Sequence, residues 1–334
     1  MKYLHLFENV SDFNAAYNGA DYYEPWVSYT IEDENLHYNK HPEDEPFTVE
    51  IINNGRFQFW ISDGWEYGEG WEEHLLPKMW YSVNDGDWIE VPNEGSVGLN
   101  VTAGDKIKFE GENTKLYGLD ESGLETSLFN INLGSTVQIN LSGNIMSLLN
   151  RISFAQMKTV PEDAFRSLFS GYLDAIVSAE NLILPATTLS PRCYQDMFSN
   201  CTALTTPPAL PATTLAENCY NGMFYKCYAL TTAPELPATT LAQSCYFGMF
   251  RYCSSLTTAP ELPAPTLVDY CYRAMFEYCS NLNHVKCLAV QNNAEENPLL
   301  WWLNNVSTTG TMVVSANKPS SLILTPSGWT EEVE

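Results

Sequence analysis

The sequence predicts a multidomain α+β protein: a small N-terminal α/β unit, an all-β sandwich, and a solenoid of 26-residue repeats. Three observations predict it. Apolar and aromatic residues recur with a 26-residue step through the second half of the chain. Short alternating runs of β-branched and aromatic residues, separated by turn sequences, fill residues 47–143. Charge is uneven: residues 1–125 hold 26 acidic and 7 basic side chains, a net of -19, and residues 126–334 hold 15 and 9, a net of -6. A charge step of that size marks a domain boundary.

The expected organisation is therefore residues 1–42 as an N-terminal attachment unit, 43–143 as the β-sandwich, 144–292 as the solenoid with regular repeats over 190–288, and 293–334 as a C-terminal cap. In the first unit, residues 2–7 read as a strand and 11–17 as a short helix capped by Ser11. Residues 26–31 pair with 36–38 across the acidic turn Glu32-Asp33-Glu34-Asn35. A charged linker with Pro42 and Pro46 follows.

In the sandwich, residues 47–51 and 56–61 alternate about Asn54-Gly55, a strong hairpin signal. Residues 80–83 and 87–91 flank Asn84-Asp85-Gly86, and further strands are expected over 97–101, 106–110 and 137–141.

The repeat reads Cys-Tyr-x-x-Met-Phe-x-x-Cys-x-x-Leu-Thr-Thr-Ala-Pro-Glu-Leu-Pro-Ala-Thr-Thr-Leu. Cys193, Cys219, Cys245 and Cys271 form one series, and Cys201, Cys227, Cys253 and Cys279 another. A unit this small buries no core alone and must stack on its neighbours. Cys193, Met197 and Cys201, spaced i, i+4, i+8, read as one face of a short helix with Ser190 as N-cap and Pro191 as its first residue. Gly222 and Gly248 weaken the next two helices. Leu204-Thr205-Thr206 and its copies read as a short extended segment bounded by prolines. One short strand and one short helix per 26 residues describes a leucine-rich-repeat coil. An irregular copy over 164–189 precedes the array. Beyond it, 297–304 reads as a helix and Gly310 as a hairpin-like turn.

With 41 acidic against 16 basic residues, a net of -25, the chain is unsuited to the phosphates of nucleic acid. No apolar run approaches the ~18 residues of a membrane helix. The N-terminus does not read as a secretory signal, since Glu8 and Asp12 interrupt it. If Cys193 and Cys201 share a helix they stand ~12 Å apart, beyond the ~7 Å reach of a disulfide. Zinc would need Cys pairs at short spacing. Buried thiols filling small core slots is the expected role, with no cofactor and no metal. His37 and His41, with Glu43 nearby, read as surface residues. Asp63, Glu66, Glu69, Glu72 and Glu73 around Trp65 and Trp71 read as a solvated rim. No nucleophile elbow, phosphate-cradling loop or zinc-protease motif is present, so no catalytic residues are assigned.

The informative positions are those that drift within the repeat, such as Ser199-Asn200, Tyr225-Lys226, Arg251-Tyr252 and Glu277-Tyr278. They nominate Tyr225, Tyr228, Phe247, Tyr252, Tyr270 and Tyr278 as a binding edge, because aromatic rings ranged along a rigid repeat suit sugar or protein contacts.

Over residues 142–330 the repeat, with Met-Phe-x-x-Cys-x-x-Leu followed by Leu-Pro and a further Leu, resembles the BspA-like leucine-rich repeat family. The Cys-Tyr-x-x-Met-Phe variant is similar to repeats in surface proteins of gut anaerobes and in structural proteins of their tailed phages. Met1-Lys2-Tyr3-Leu4 with Val27-Ser28-Tyr29 resembles the N-terminal segment of some phage virion proteins. The resemblance implies adhesion or recognition without catalysis. The expectation is a non-enzymatic phage virion protein, a tail fibre or other receptor-binding or decoration component. Its partners would be other virion proteins through the N-terminal unit and a host-surface glycan or protein, with no nucleic acid and no membrane insertion. A homo-oligomer is compatible with it. The alternatives are a bacterial cell-surface adhesin and, behind it, a carbohydrate-active enzyme.

Overall fold

The computed structural model describes residues 28–32, 35–39, 42–68, 71–119, 125–133, 137–171, 174–318 and 325–334. The strand expected over 2–7 and the helix expected over 11–17 lie outside the described residues. Among the described residues there is no α-helix: the chain forms β-strands, three short 3-10 turns and long runs of turn. This corrects the α+β class. The reason lies in how the repeats share their hydrogen bonds, set out below.

The pairing expected around the acidic turn is present, with Ser28–Glu32 antiparallel to Asn35–Asn39 and Tyr29 opposite Tyr38. A six-stranded sheet follows, in spatial order Ile176–Ile183, Ile139–Asn144, Phe47–Ile51, Lys106–Gly111, Met79–Val83 and Ile89–Glu90. A three-stranded sheet has Gly55–Ile61 between Phe129–Leu133 and Val97–Val101. The two meet through packed rings, Phe59 against Phe109 at 4.9 Å and Phe109 against Phe129 at 5.2 Å.

The hairpin expected at Asn54-Gly55 is overturned. Phe47–Ile51 and Gly55–Ile61 lie in different sheets, so this turn is a corner between sheets. Its polar side chains tie it to other loops: Asn53 Oδ1 accepts the Gln138 amide at 2.7 Å and Asn54 Oδ1 that of Ala103 at 2.9 Å. Asn84-Asp85-Gly86 does close a hairpin, with Asn84 and Asp85 both at positive φ and Tyr81 opposite Ile89.

The segments expected to be helices are layers of turn. In residues 192–200 alternate amides leave the layer: Arg192, Tyr194, Asp196, Phe198 and Asn200 donate to the carbonyls of Glu217, Cys219, Asn221, Met223 and Tyr225, at 2.7–3.1 Å. The amides between them bond back three residues, as Met197 does to Tyr194 at 3.3 Å. The pattern repeats in the following copies. An α-helix sends every amide to the carbonyl four residues back, and here half are committed to the neighbouring copy. Each layer takes a left-handed residue every fourth position: 192, 196, 200; 218, 222, 226; 244, 248, 252; 270, 274, 278. The period is thus 4 rather than 3.6, and a spacing of i, i+4, i+8 satisfies both. Gly222 and Gly248 occupy left-handed positions, where glycine is at home. The helix expected over 297–304 is likewise a turn layer, with Trp301 and Asn305 left-handed.

The copies of Leu204-Thr205-Thr206 do not form strands. Isolated bridges such as Ser178 to Thr206 stand in their place, since the flanking prolines donate nothing to a ladder. The hairpin expected at Gly310 is also absent: Gly310–Val314 runs parallel to both His284–Cys287 and Trp329–Val333.

The core is continuous from the sheets into the layers. Phe109, Phe47, Phe169, Phe198, Phe224, Phe250 and Phe276 form one file of rings at centroid spacings of 5.4–6.0 Å. A second file, Phe165, Tyr194, Tyr220, Tyr246 and Tyr272, has spacings of 5.9 Å. Residue 143, the expected end of the β-sandwich, lies inside the strand Ile139–Asn144, which pairs in parallel with Ile176–Ile183.

Candidate functional site

The positions that differ between copies are those that do not face the interior of the layers. Cys, Met, Tyr and Phe columns fill the inside, all of them buried. The second cysteine column closes a polar account: the Cys227, Cys253 and Cys279 thiols donate to the carbonyls of Phe198, Phe224 and Phe250 at 2.9–3.2 Å. Burial pushes the thiols of these three up, and likewise those of Cys219 and Cys271, to about 12, and of Cys287, to about 11. A protonated, enclosed thiol is neither nucleophile nor metal ligand. Among the described residues no group of three His, Cys, Asp or Glu side chains is arranged to hold a metal ion.

The six nominated aromatics separate into two clusters. Tyr225, Tyr252 and Tyr278 come together at one end of the layers. Tyr225 meets Tyr252 edge to face at 5.8 Å, and Tyr252 lies parallel to Tyr278 at 4.6 Å. Tyr278 is 39% exposed and Tyr228, just past Tyr225 in its layer, 41%; Tyr225 and Tyr252 are half-buried beneath. Lys226 Nζ stands 5.0 Å from the Tyr225 ring centre and the Arg251 guanidinium 5.3 Å from that of Tyr252. Arg251 is paired with Glu277 at 2.6 Å, and Glu277 also accepts from Asn304 Nδ2 at 3.2 Å. The Arg251 charge at this ridge is therefore neutralised internally.

Phe247 and Tyr270 belong to the other cluster. With Trp301 they surround Arg273, whose guanidinium lies 5.5 Å from Phe247, 5.2 Å from Tyr270 and 5.5 Å from Trp301. The Tyr270 phenol is pushed up by burial and by the Glu296 carboxylate it bonds. Arg273 and Trp301 were not nominated from the sequence. A four-residue period would have aligned Trp301 with Ala274 and Gly248, and the helix reading hid that alignment.

One concave feature lies elsewhere, a cleft of about 700 Å³ between the outer face of the six-stranded sheet and the first layers. Its cations are already satisfied: Lys106 by Glu50 at 3.0 Å, Lys108 by Glu45 at 3.1 Å and by Asp85, and Lys158 by Glu43 at 2.7 Å.

No protein-family model, curated protein or solved structure matches this chain.

Proposed function

We propose that the protein is a non-enzymatic recognition component of a phage particle, using the edge of its stacked repeats to contact a glycan or protein on the host surface. The observation that carries this reading is the tyrosine ridge: Tyr252 and Tyr278 in parallel contact, with Tyr278 and Tyr228 exposed, all held on a backbone cross-bonded from layer to layer. Tyrosine offers a broad, stiff contact surface with little conformational entropy to lose on binding. The likeness of the repeat motif to repeats of surface and phage structural proteins supports the same reading, and the N-terminal unit is assigned to attachment.

The test removes rings that the core does not need. Tyr228→Ala with Tyr278→Ala is expected to weaken host-cell binding by about tenfold or more, equivalent to ~1.4 kcal/mol, with an unchanged melting temperature. Unaltered binding would remove the ridge from the interface. Immunogold labelling with antibody to this protein is expected on phage particles, and label confined to the bacterial envelope would overturn the virion assignment.

A further inference from the structure

We propose that Arg273 and Trp301, at the last layer of the stack, form a binding site for a carboxylate-bearing saccharide, one residue of an acidic glycan. The proposal rests on the recognition reading above and names a ligand chemistry for a second part of the same surface.

Arg273 is anomalous in this chain. Acidic residues outnumber basic ones 41 to 16, and four of the other five arginines have found carboxylates: Arg151 with Glu110, Arg166 and Arg192 with Asp163, Arg251 with Glu277. Among the described residues Arg273 has no ion pair, although it is partly buried. The two carboxylates that act on the neighbouring Tyr270 are engaged elsewhere, Glu296 with the Tyr270 phenol and Asp269 with the Glu296 amide at 2.9 Å.

Three rings take the place of a counter-ion. Cation–π contacts from Phe247, Tyr270 and Trp301 hold the guanidinium in place and leave its hydrogen-bonding capacity unused. Nε is buried without a hydrogen-bond partner. A fixed guanidinium fork is matched by the two oxygens of a carboxylate.

Two further features point the same way. Trp301 is 53% exposed, and a flat indole beside a cation is a platform for the C–H face of a sugar ring. Its amide also lacks the acceptor that equivalent amides enjoy: those of Asp196, Gly222, Gly248 and Ala274 each bond a carbonyl of the next layer, at 2.8–2.9 Å. Trp301 lies in the last layer, and among the described residues its amide has no partner. The place thus offers donors and an apolar face together, the requirements of an anionic sugar.

The experiment is calorimetric titration of the full chain with a uronic-acid oligosaccharide and with its methyl ester, which keeps the rings and loses the charge. The expected result is binding of the acid at least about tenfold tighter than the ester. Arg273→Gln is expected to abolish that preference, Arg273→Lys to restore only part of it because charge returns without the fork, and Trp301→Ala to weaken acid and ester alike. Melting curves identify any variant that has lost its fold. Equal binding of acid and ester, or an acid preference that survives Arg273→Gln, overturns the site. An acidic peptide that binds through Arg273 as tightly as the saccharide overturns the choice of ligand. Tyr228→Ala with Tyr278→Ala separates the two readings: host binding lost in that variant but kept in Arg273→Gln leaves the ridge standing and this site refuted.

Discussion

Arg251 and Arg273 stand in neighbouring layers and have opposite fates, one paired with Glu277 and one enclosed by rings. The difference arises from which residues the layer spacing places beside each of them. Backbone conformation is set at the same scale. Gly248 and Gly222 both occupy left-handed positions, but a Cβ on Gly248 meets only the Arg251 Cβ at 4.0 Å, whereas one on Gly222 would collide with Asp196 Oδ1. Gly248→Ala is expected to cost about 1–2 kcal/mol, the penalty of left-handed backbone for a residue with a Cβ. Gly222→Ala should cost more, because the Asp196 carboxylate must also swing away. Denaturant unfolding of the two variants measures the difference, and equal costs would mean that Asp196 moves freely.

At the scale of the element, the unit is a turn layer whose amides alternate between their own layer and the next. Such a layer has no stability alone, since half its backbone bonds belong to its neighbour. Its interior is correspondingly intolerant. Phe224 is fully buried, stacked between Phe198 at 5.7 Å and Phe250 at 5.6 Å. Phe224→Ala is expected to lower stability by about 3–5 kcal/mol, read from chemical denaturation. A small effect would mean that the ring file relaxes around the gap. The inside of the layer was legible in the sequence, because burial selects Cys, Tyr, Met and Phe at each turn. The backbone was not, since periods of 4 and 3.6 diverge by little over eight residues. The Asn54-Gly55 corner misled for a related reason: turn residues show where the chain reverses, not which strand it pairs with.

Over the whole molecule, the sheets and layers share one apolar core that runs from Phe47 to Trp329. That core holds many acidic-when-ionised groups in their neutral form. The thiols of Cys193, Cys219, Cys227, Cys245, Cys253, Cys271, Cys279 and Cys287, and the phenols of Tyr194, Tyr220, Tyr246 and Tyr272, are all pushed up, chiefly by burial. In the unfolded chain the thiols ionise near about 8.5 and the phenols near about 10. Their contribution to stability is therefore complete below about pH 8 and declines as pH rises toward the raised folded values, about 11 for Cys287 and about 12 for Cys219 and Cys271. Cooperative unfolding is expected on raising the pH through that window, followed by circular dichroism, with the thiols unreactive to alkylation until it occurs. Thiols that react at neutral pH in the folded protein would contradict the burial. The sequence by itself determined the 26-residue unit and the residues that fill its interior, because burial and repetition leave their mark on residue type. The tertiary structure alone decided that the unit is a turn layer rather than a strand and helix, that strands adjacent in sequence at Asn54-Gly55 fall in different sheets, and that Arg273 meets Trp301. Each depends on which distant backbone or side chain lies across the gap, and a single chain read in order carries no record of its neighbour in space.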